Sequence, residues 1–269
     1  MSECDQYLFI KNNKILPTEK FSDKILTQGT SVYDVLRVIE GKPIFWEAHI
    51  KRLFQSASHI NKQLWLSKDQ ILNQIQRLIT SNDVEEGNLK IVFNFYENTK
   101  TFFCYFVPHH YPSQQQYEKG VRTILFQAIR NNPNAKIINN NLRNTTNQIL
   151  EKTKAYEVIL LDPLGNITEG SRSNIFLLRE NKIYTAPLCD VLPGTVRQRV
   201  INLCKEMDVT LIEKRVHYED LPDYHAAFIT GTSPMILPIS YINSISYDAQ
   251  HPLLRALMRA YQDLISRHF

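Results

Sequence analysis

Apolar residues alternate with polar ones in several short stretches of the chain, and elsewhere they recur at three- and four-residue intervals. Alternation and short β-branched runs predict strands, whereas the wider spacing predicts amphipathic helices. The predicted strands span residues 7–10, 32–39, 89–96, 101–107, 121–127, 158–161, 174–178, 182–185, 210–216 and 226–230. The predicted helices span residues 47–58, 70–79, 139–155, 195–207 and 253–267.

A polar stretch over residues 108–116, with prolines at positions 108 and 112, interrupts this pattern. Such composition is typical of a linker between domains. We therefore predict a small amino-terminal α/β domain over residues 1–112, a linker over 113–120 and a larger carboxyl-terminal domain over 121–269. Because strands and helices mix in both parts, the expected fold class is α/β, of the α+β type.

Composition and charge exclude several classes of protein. The 269 residues are 43% hydrophobic and 22% charged, which is ordinary for a globular protein. The net charge of +4 is spread along the chain, so it indicates neither a nucleic-acid partner nor a membrane partner. No apolar run approaches the roughly 20 residues that cross a bilayer, and the first residues lack a signal-peptide pattern. A cytoplasmic protein is expected.

The four cysteines stand at positions 4, 104, 189 and 204. They show no CxxC spacing and no histidine at metal-ligand spacing. Buried, reduced thiols are therefore expected rather than disulfides or a metal site.

Two segments offer side chains suited to binding an anion or a ring nitrogen. His49 and Arg52 lie three residues apart on a predicted helix, so they share one side, and an arginine there could hold a phosphate. The alternative is a solvated helix face. Glu169 lies among small hydroxyl residues in segment 167–174, where a carboxylate could face a ligand nitrogen. The alternative is an ordinary polar loop.

Two further segments offer backbone groups. Residues 192–197 contain Gly194 and open a predicted helix, and the free N–H groups of a helix start suit a phosphate. Residues 230–234 follow a predicted strand and carry small hydroxyl side chains that can hold an anion. Each signal is weak alone, because every helix has a start and polar turns are common.

The order and spacing of these segments resemble the class IV aminotransferase family, which includes branched-chain aminotransferases, D-amino acid aminotransferases and aminodeoxychorismate lyases. The resemblance covers roughly residues 33–239. The matching segments are EAHIKRL at 47–53, TEGSRSNIF at 168–176, LPGTVRQ at 192–198 and ITGTSPMILPI at 229–239. The resemblance implies a fold type IV enzyme with a barrel-like sheet in its larger domain. It also implies pyridoxal 5'-phosphate as cofactor, amino acid and 2-oxo acid substrates, and a homodimer.

The same resemblance implies roles for single residues. Lys136 matches the family lysine that forms a Schiff base with the cofactor, and Asn139 completes its K-x-x-N pattern. Lys152 and Lys154 are rivals, but they lie too close to the next strand. Glu169 matches the carboxylate that pairs with the pyridine nitrogen, which keeps the ring protonated and electron-withdrawing.

Arg52 matches the family's phosphate-binding arginine. The backbone of Thr195 and Val196, with Thr232, is expected to complete that phosphate site. Family members often carry threonine where Val196 stands. Ser171, in the TEGS segment, is also expected to contact the cofactor.

Tyr33, Val35 and Arg37 alternate along a predicted strand, so they share one face. Matching positions in the family line the substrate pocket, and Arg37 there binds a carboxylate or forms a structural ion pair. Ser233 is expected to contact the substrate as well. The strand that begins at Lys90 ends without an arginine, which argues against D-amino acid specificity.

Transamination is the leading hypothesis for the reaction. Family lyases have a threonine where Val35 stands, and valine cannot move a proton. The segment SPMILP at 233–238 resembles the lyase branch, however, so formation of 4-aminobenzoate and pyruvate by an aminodeoxychorismate lyase is the alternative. Phe93 and Phe95 favour branched-chain or other apolar amino acids if they face the pocket. A non-catalytic relative and a nucleic-acid-binding module are the remaining alternatives.

Overall fold

The computed structural model describes residues 3–130 and 132–268, and the chain divides into two units. The first unit runs to His110 and also includes Ala135–Ile138. The second unit contains Tyr111–Asn134 and the chain from Asn139 onward. The segment Ala135–Ile138, which was expected in the larger domain, therefore belongs with the first unit. The outer limits of the predicted domains, residues 1 and 269, lie outside the described residues.

The first unit is built on one antiparallel sheet with strand order β2-β1-β6-β5-β3-β4. Its strands are β1 (Asp5–Lys11), β2 (Lys14–Pro17), β3 (Thr30–Ile39), β4 (Lys42–Pro43), β5 (Gly87–Tyr96) and β6 (Thr99–Val107). Its helices are α1 (Lys24–Thr27), α2 (Trp46–His59) and α3 (Lys68–Asn82).

Strand β3 shows how the sequence covers both faces of this sheet. Its even-numbered residues from Val32 to Val38 are fully buried, and the apolar ones form one core with apolar residues of α2 and α3. Its odd-numbered residues are mostly half-buried and face the opposite side. A second, smaller cluster lies there, in which Phe103 and Tyr105 of β6 pack with Cys4. The odd-numbered face is therefore the one that carries the predicted substrate residues.

The second unit contains most of the remaining elements. Its strands are β7 (Val121–Gln127), β8 (Glu157–Leu161), β9 (Asn166–Gly170), β10 (Asn174–Arg179), β11 (Lys182–Thr185), β12 (Leu211–Glu213), β13 (Val216–His217), β14 (Ala226–Gly231), β15 (Met235–Ile242) and β16 (Ile245–Ser246). Its helices are α4 (Gln114–Lys119), α5 (Asn140–Thr153), α6 (Thr195–Glu206) and α7 (Pro252–Ser266).

Six of these strands close into a ring, in the order β10-β14-β15-β7-β8-β9. The ring closes because β9 pairs with β10, at Glu169 and Asn174. Every strand of the ring contributes to one buried apolar cluster, which therefore fills its interior. The expectation of a barrel-like sheet is confirmed.

Several boundaries differ from the sequence prediction. The predicted strand 210–216 is two short strands, β12 and β13, and the predicted linker 113–120 contains helix α4, which Ser113 and Gln116 close with a capping box. Three of the cysteines are buried, but Cys189 is exposed, since it lies in a short surface turn. Within residues 3–130 and 132–268, no helix is long and apolar enough to cross a membrane.

Candidate active site

A buried carboxylate on β3 holds two side chains of α2. Asp34 is fully buried among the even-numbered residues of the strand. Its Oδ1 accepts hydrogen bonds from His49 Nδ1 at 2.8 Å and from Arg52 Nη2 at 2.6 Å, and its Oδ2 accepts one from Arg52 Nε at 2.8 Å. His49 and Arg52 are only 3% and 6% exposed. The solvated helix face considered above is therefore wrong: both side chains belong to a buried ion cluster.

The charge states of this cluster follow from its surroundings. Burial alone would raise the pKa of Asp34, but the Arg52 guanidinium and the hydrogen bonds from both partners outweigh it, so the pKa lies well below its usual range. Burial lowers the pKa of His49, and so do the charges of Arg52 and Lys136, whereas Asp34 raises it. A neutral His49 therefore donates its Nδ1–H to an ionised Asp34, since a carboxylate can only accept.

Lys136 is anchored on both β3 and α2. Its carbonyl accepts the Tyr33 N–H at 3.0 Å, and Ile138 N–H donates to the Ser31 carbonyl at 3.1 Å, so the segment forms a bridge along the edge of β3. Its own N–H donates to Ser56 Oγ at 3.1 Å. Because Ser56 lies one turn beyond Arg52 on α2, the helix places the lysine backbone and the Asp34 cluster on one side.

The Lys136 ammonium lies 4.9 Å from the centroid of the Tyr33 ring. A second ammonium, that of Lys90 on β5, lies 4.8 Å from the same centroid. Such distances fit cation–π contacts. The structure therefore brings Tyr33 and Lys136 together, as the resemblance implied, and adds Lys90, which the sequence analysis did not consider as a site residue.

Tyr33, Val35 and Arg37 share one face of β3, as their alternation predicts, because the odd-numbered residues of the strand alternate with the buried ones. Arg37 makes a loose ion pair with the exposed Glu86, at 3.8 Å, so the ion-pair reading is compatible with the structure. Phe93 and Phe95 do not lie on this face. They pack in the core between the sheet and the helices, because Phe93 is in register with the inward-facing Val32. The support that they gave to apolar substrates is lost.

In the second unit, Glu169 is buried and held on several sides. Its Oε1 lies 2.7 Å from Arg130 Nε, and its Oε2 accepts the Leu192 N–H at 3.0 Å and a longer contact from Asn174 Nδ2 at 3.4 Å. It is 3% exposed. The guanidinium stabilises negative charge on the carboxylate. An ordinary polar loop is thus the wrong reading, because Glu169 lies in strand β9 and inside a network.

Ser171 is bound to a second buried carboxylate. Its hydroxyl donates to Glu157 Oε1 at 2.7 Å, and Ser173 donates to Glu157 Oε2 at 2.8 Å. The Arg172 N–H also donates to Glu157, at 3.1 Å. Glu157 therefore fixes the turn between β9 and β10, and the Ser171 hydroxyl contributes to the shape of that turn.

Helix α6 begins at Thr195, and Gly194 before it supplies no side-chain cap. An added Cβ at Gly194 would lie 2.0 Å from Asn174 Oδ1, so this position requires glycine. Asn174 is the cross-strand partner of Thr230, whose hydroxyl is buried and lacks a hydrogen-bond partner among the described residues. Thr195 and Val196 are both buried in the first turn.

Thr232 and Ser233 lie in the three-residue turn that joins β14 to β15, and both are half-buried. The rival lysines Lys152 and Lys154 lie at the exposed end of α5. Asn139 is the N-cap of α5, with its side chain accepting the Leu142 N–H at 3.2 Å.

Two groups of predicted residues result. The first unit brings Lys136 to Tyr33 and fixes its backbone to the helix that carries Arg52, and the second unit gathers Glu169 and Ser171. Sequence reasoning missed the partners Asp34, Lys90, Arg130 and Glu157. Asp34 had a visible signal, since a charged residue at a core-facing position of a strand requires a buried partner.

The family model described as amino-transferase class IV matches residues 31–242 of the chain. The chain belongs to the class IV aminotransferases. The family that the sequence resembled is thereby confirmed. Among relatives, a D-alanine aminotransferase from Bacillus licheniformis is 28% identical over 88% of each chain. A branched-chain-amino-acid aminotransferase from Pseudomonas aeruginosa is 27% identical over 90% of this chain and 86% of its own.

Solved structures of similar proteins match the fold of this family member. A branched-chain amino acid aminotransferase from Escherichia coli aligns with a TM-score of 0.86 at 20% identity, covering 97% of this chain and 95% of that one. A branched-chain amino acid aminotransferase from Thermoproteus uzoniensis, solved with norvaline, gives 0.83 at 20%, covering 97% and 95%. A Legionella pneumophila protein described as a 4-amino-4-deoxychorismate lyase gives 0.79 at 20%, covering 87% and 91%. The predicted fold type IV is confirmed.

The side chains present fit pyridoxal phosphate chemically. Lys136 offers an amine, and Arg52 is a buried guanidinium held in place by Asp34. In the second unit, Glu169 offers a carboxylate, and the buried Thr230 hydroxyl, opposite Asn174 in the sheet, has no hydrogen-bond partner among the described residues. A hydroxyl of this kind suits a phosphate oxygen.

Proposed function

We propose that the chain is a pyridoxal-phosphate-dependent aminotransferase that moves an amino group between an amino acid and a 2-oxo acid. The observation that carries the proposal is the anchoring of Lys136. Its backbone is bound to β3 and α2, its ammonium lies over Tyr33, and the Asp34–Arg52 ion pair is on the same helix face. A lysine whose backbone is fixed to the helix that carries a buried guanidinium suits a nucleophile for an aldehyde.

The chain's residues divide the work of this reaction. The cofactor, when bound, supplies a ring that withdraws electrons from the substrate Cα. Lys136 would provide the amine that holds the aldehyde, and its free amine would remove and return the Cα proton of the substrate. Glu169, beside Arg130, would accept a hydrogen bond from the protonated ring nitrogen. Arg52 would hold the phosphate, and the backbone of Thr195 and Val196 with the Thr232 hydroxyl would contribute further donors.

The substrate contacts are part of the same proposal. Tyr33 and Arg37 lie on the face of β3 that also carries the Lys136 contact, and Ser233 is in the turn after β14. Ser171 contributes indirectly to the cofactor site, because its hydroxyl bonds to Glu157 and so shapes the turn between β9 and β10. Branched-chain donors lose the support of Phe93, because it faces the core.

An aminodeoxychorismate lyase is the second candidate function. The segment SPMILP at 233–238 and the fold likeness to the Legionella pneumophila protein favour it. Val35 favours transamination, because an aliphatic side chain cannot assist an elimination. A coupled assay separates the two functions: we expect amino transfer from an amino acid to a 2-oxo acid acceptor, and no pyruvate from aminodeoxychorismate alone. Pyruvate release without an acceptor would establish the lyase.

The nucleophile is tested by trapping. Borohydride reduction in the presence of pyridoxal phosphate should leave a pyridoxyl adduct on Lys136, found by mass spectrometry of peptides. Lys136→Ala should lose the adduct, whereas Lys152→Ala, at the exposed end of α5, should keep it. An adduct that survives in Lys136→Ala at full yield means that another lysine is the nucleophile.

The assembly and the location of the enzyme are also proposals. We infer a homodimer in the cytoplasm, acting on small molecules and on neither nucleic acid nor membrane, from membership of the family. Sedimentation velocity of the purified chain tests the dimer directly, and a mass near 31.4 kDa rather than twice that value would refute it.

A further inference from the structure

The turn of residues 232–234 joins β14 to β15 and carries Thr232 of the proposed site. Met235, which follows the turn, has a φ of 53°, in the left-handed region that residues with a side chain rarely adopt. The Pro234 ring packs tightly on Gly231, since an added Cβ on that glycine would lie 3.1 Å from Pro234 Cγ. A backbone in such a conformation persists only where contacts from outside the turn hold it.

Tyr117 of α4 supplies such a contact. Its hydroxyl donates to the Pro234 carbonyl at 3.2 Å, and its ring packs against the apolar cluster that fills the barrel-like sheet. The Pro234 carbonyl belongs to the same planar peptide as the Met235 nitrogen. The hydrogen bond therefore fixes the peptide plane that precedes the left-handed residue, and with it the path of the chain through the turn.

Helix α4 is itself held by α7 and the residues just before it. Helix α4 has only six residues, none of them buried, and a helix of this length is not stable by itself. Arg255 Nη1 donates to the Tyr117 carbonyl at 2.9 Å, and Arg255 Nη2 donates to the Glu118 carbonyl. The Gln250 side-chain amide donates to the Glu118 carbonyl as well. Because the last carbonyls of a helix have no partner within it, the Arg255 guanidinium satisfies them and fixes the backbone that carries the Tyr117 side chain.

A tyrosine hydroxyl that donates to a main-chain carbonyl can also be purely structural, because a buried tyrosine normally finds such a partner. Tyr247 in the same unit is an example, since its hydroxyl donates to the Leu221 carbonyl at the same distance, 3.2 Å. The two bonds differ in what their acceptors adjoin. Leu221 lies in a 3-10 helix that carries none of the predicted site residues, whereas Pro234 directly follows Thr232 and Ser233. Of these two bonds, the one from α4 is therefore placed to act on the proposed site.

We propose that Tyr117 is a positioning residue for the cofactor phosphate, because its hydroxyl holds the turn of residues 232–234 in the shape that lets Thr232 donate to a phosphate oxygen. Arg255 supports this role from one step farther away, through the backbone of Tyr117. The inference rests on the proposed function, which assigns Thr232 to the phosphate. A single hydrogen bond from the helix in the predicted linker thus contributes to the affinity for the cofactor.

Comparing pyridoxal phosphate with pyridoxal, which has no phosphate, tests this role. Fluorescence titration of the full chain, freed of cofactor, measures both affinities. Tyr117→Phe keeps the ring and removes the hydroxyl, so it should weaken pyridoxal phosphate binding about fivefold, as expected for one hydrogen bond, and change pyridoxal binding less than about twofold. Tyr247→Phe loses a bond of the same kind and length, and as the matched control it should keep both wild-type affinities.

Hydrogen exchange of the cofactor-free chain, followed by mass spectrometry, tests the hold on the turn without any ligand. Peptides that cover residues 231–236 should exchange faster in Tyr117→Phe than in the wild type, and Tyr247→Phe should leave their exchange unchanged. Arg255→Gln should speed exchange both in α4 and in the turn, because it releases the helix that carries Tyr117.

The proposal is wrong if Tyr117→Phe binds pyridoxal phosphate like the wild type, if it loses affinity for pyridoxal to the same extent, or if exchange in the turn is unchanged. When a normal pyridoxyl adduct still forms on Lys136 in these cases, the proposed function stands and the role of Tyr117 alone fails. A wild type that gives no such adduct would overturn the proposed function, and this inference with it.

Discussion

Replacing Asp34 with asparagine should destabilise the first unit strongly. The substitution keeps the volume of the side chain but removes the charge, and one oxygen becomes an N–H donor that faces the donors of His49 or Arg52. The carboxylate it replaces is fully buried and accepts three hydrogen bonds from these two side chains. Arg52 would be left buried without the carboxylate that accepts its Nε and Nη2 hydrogen bonds.

The magnitude follows from this geometry. Removing one partner of a buried ion pair costs about 3–5 kcal/mol, because the remaining charge stays desolvated. With an m value of about 2 kcal/mol per molar urea, the unfolding midpoint of the first unit should fall by about 2 M. The affinity for pyridoxal phosphate should fall as well, since Arg52 loses the carboxylate that orients it.

The chain provides its own probe for this measurement. It has two tryptophans, Trp46 and Trp65, and both pack against the core of the first unit. Their fluorescence during urea unfolding therefore follows that unit. Asp83→Asn removes the same charge from an exposed position after α3 and is the control. If the two variants unfold at the same urea concentration, Asp34 does not hold Arg52, and the description of the cluster is wrong.

Three further predictions use other parts of the structure. Burial holds the pKa of His49 below 6.5, so its neutral form stabilises the fold above about pH 6.5, and this contribution declines as the pH falls below that value. His49→Gln should make the difference in stability between pH 7.5 and 5.5 smaller. An unchanged difference would contradict this prediction. Gly194→Ala places a Cβ against Asn174 and should weaken pyridoxal phosphate binding about tenfold, measured by fluorescence titration. If this variant binds pyridoxal phosphate as tightly as the wild type, the start of α6 does not contribute to the cofactor site. Only Cys189 should react with Ellman's reagent in the native protein, since burial raises the pKa of Cys4 and Cys204 to about 11. Cys189→Ser should abolish the reaction. A second fast-reacting thiol would show that another cysteine is not buried.

The sequence predicts those elements best whose periodicity is strong and local. Strand β7 matches its prediction residue for residue, and α2 differs from its prediction by one residue at each end. Strand β15 was not predicted, because Pro238 lies inside it and proline normally argues against a central strand. Strand β9 was not predicted, because its turn-forming residues are typical of a loop.

The candidate site was predictable only in part, for a physical reason. Arg52 and Glu169 lie in local segments that resemble a known family, and the structure finds both buried and held. The contact between Tyr33 and Lys136 joins residues roughly a hundred positions apart, and no spacing rule reaches that far. Lys90 was read only as part of a strand, because its partner Glu3 comes from a different part of the chain.

The return of Ala135–Ile138 to the first sheet has a consequence for biosynthesis. One edge of β3 is covered because the Lys136 carbonyl accepts the Tyr33 N–H and the Ile138 N–H donates to the Ser31 carbonyl. A nascent chain emerges from its amino-terminal end, so that edge stays open while the ribosome is still translating the start of the second unit. An open strand edge invites pairing with other chains. Lys136, the proposed nucleophile, thus also helps to close the sheet that is made first, and a chain terminated before residue 135 would be an aggregation-prone fragment that lacks this lysine.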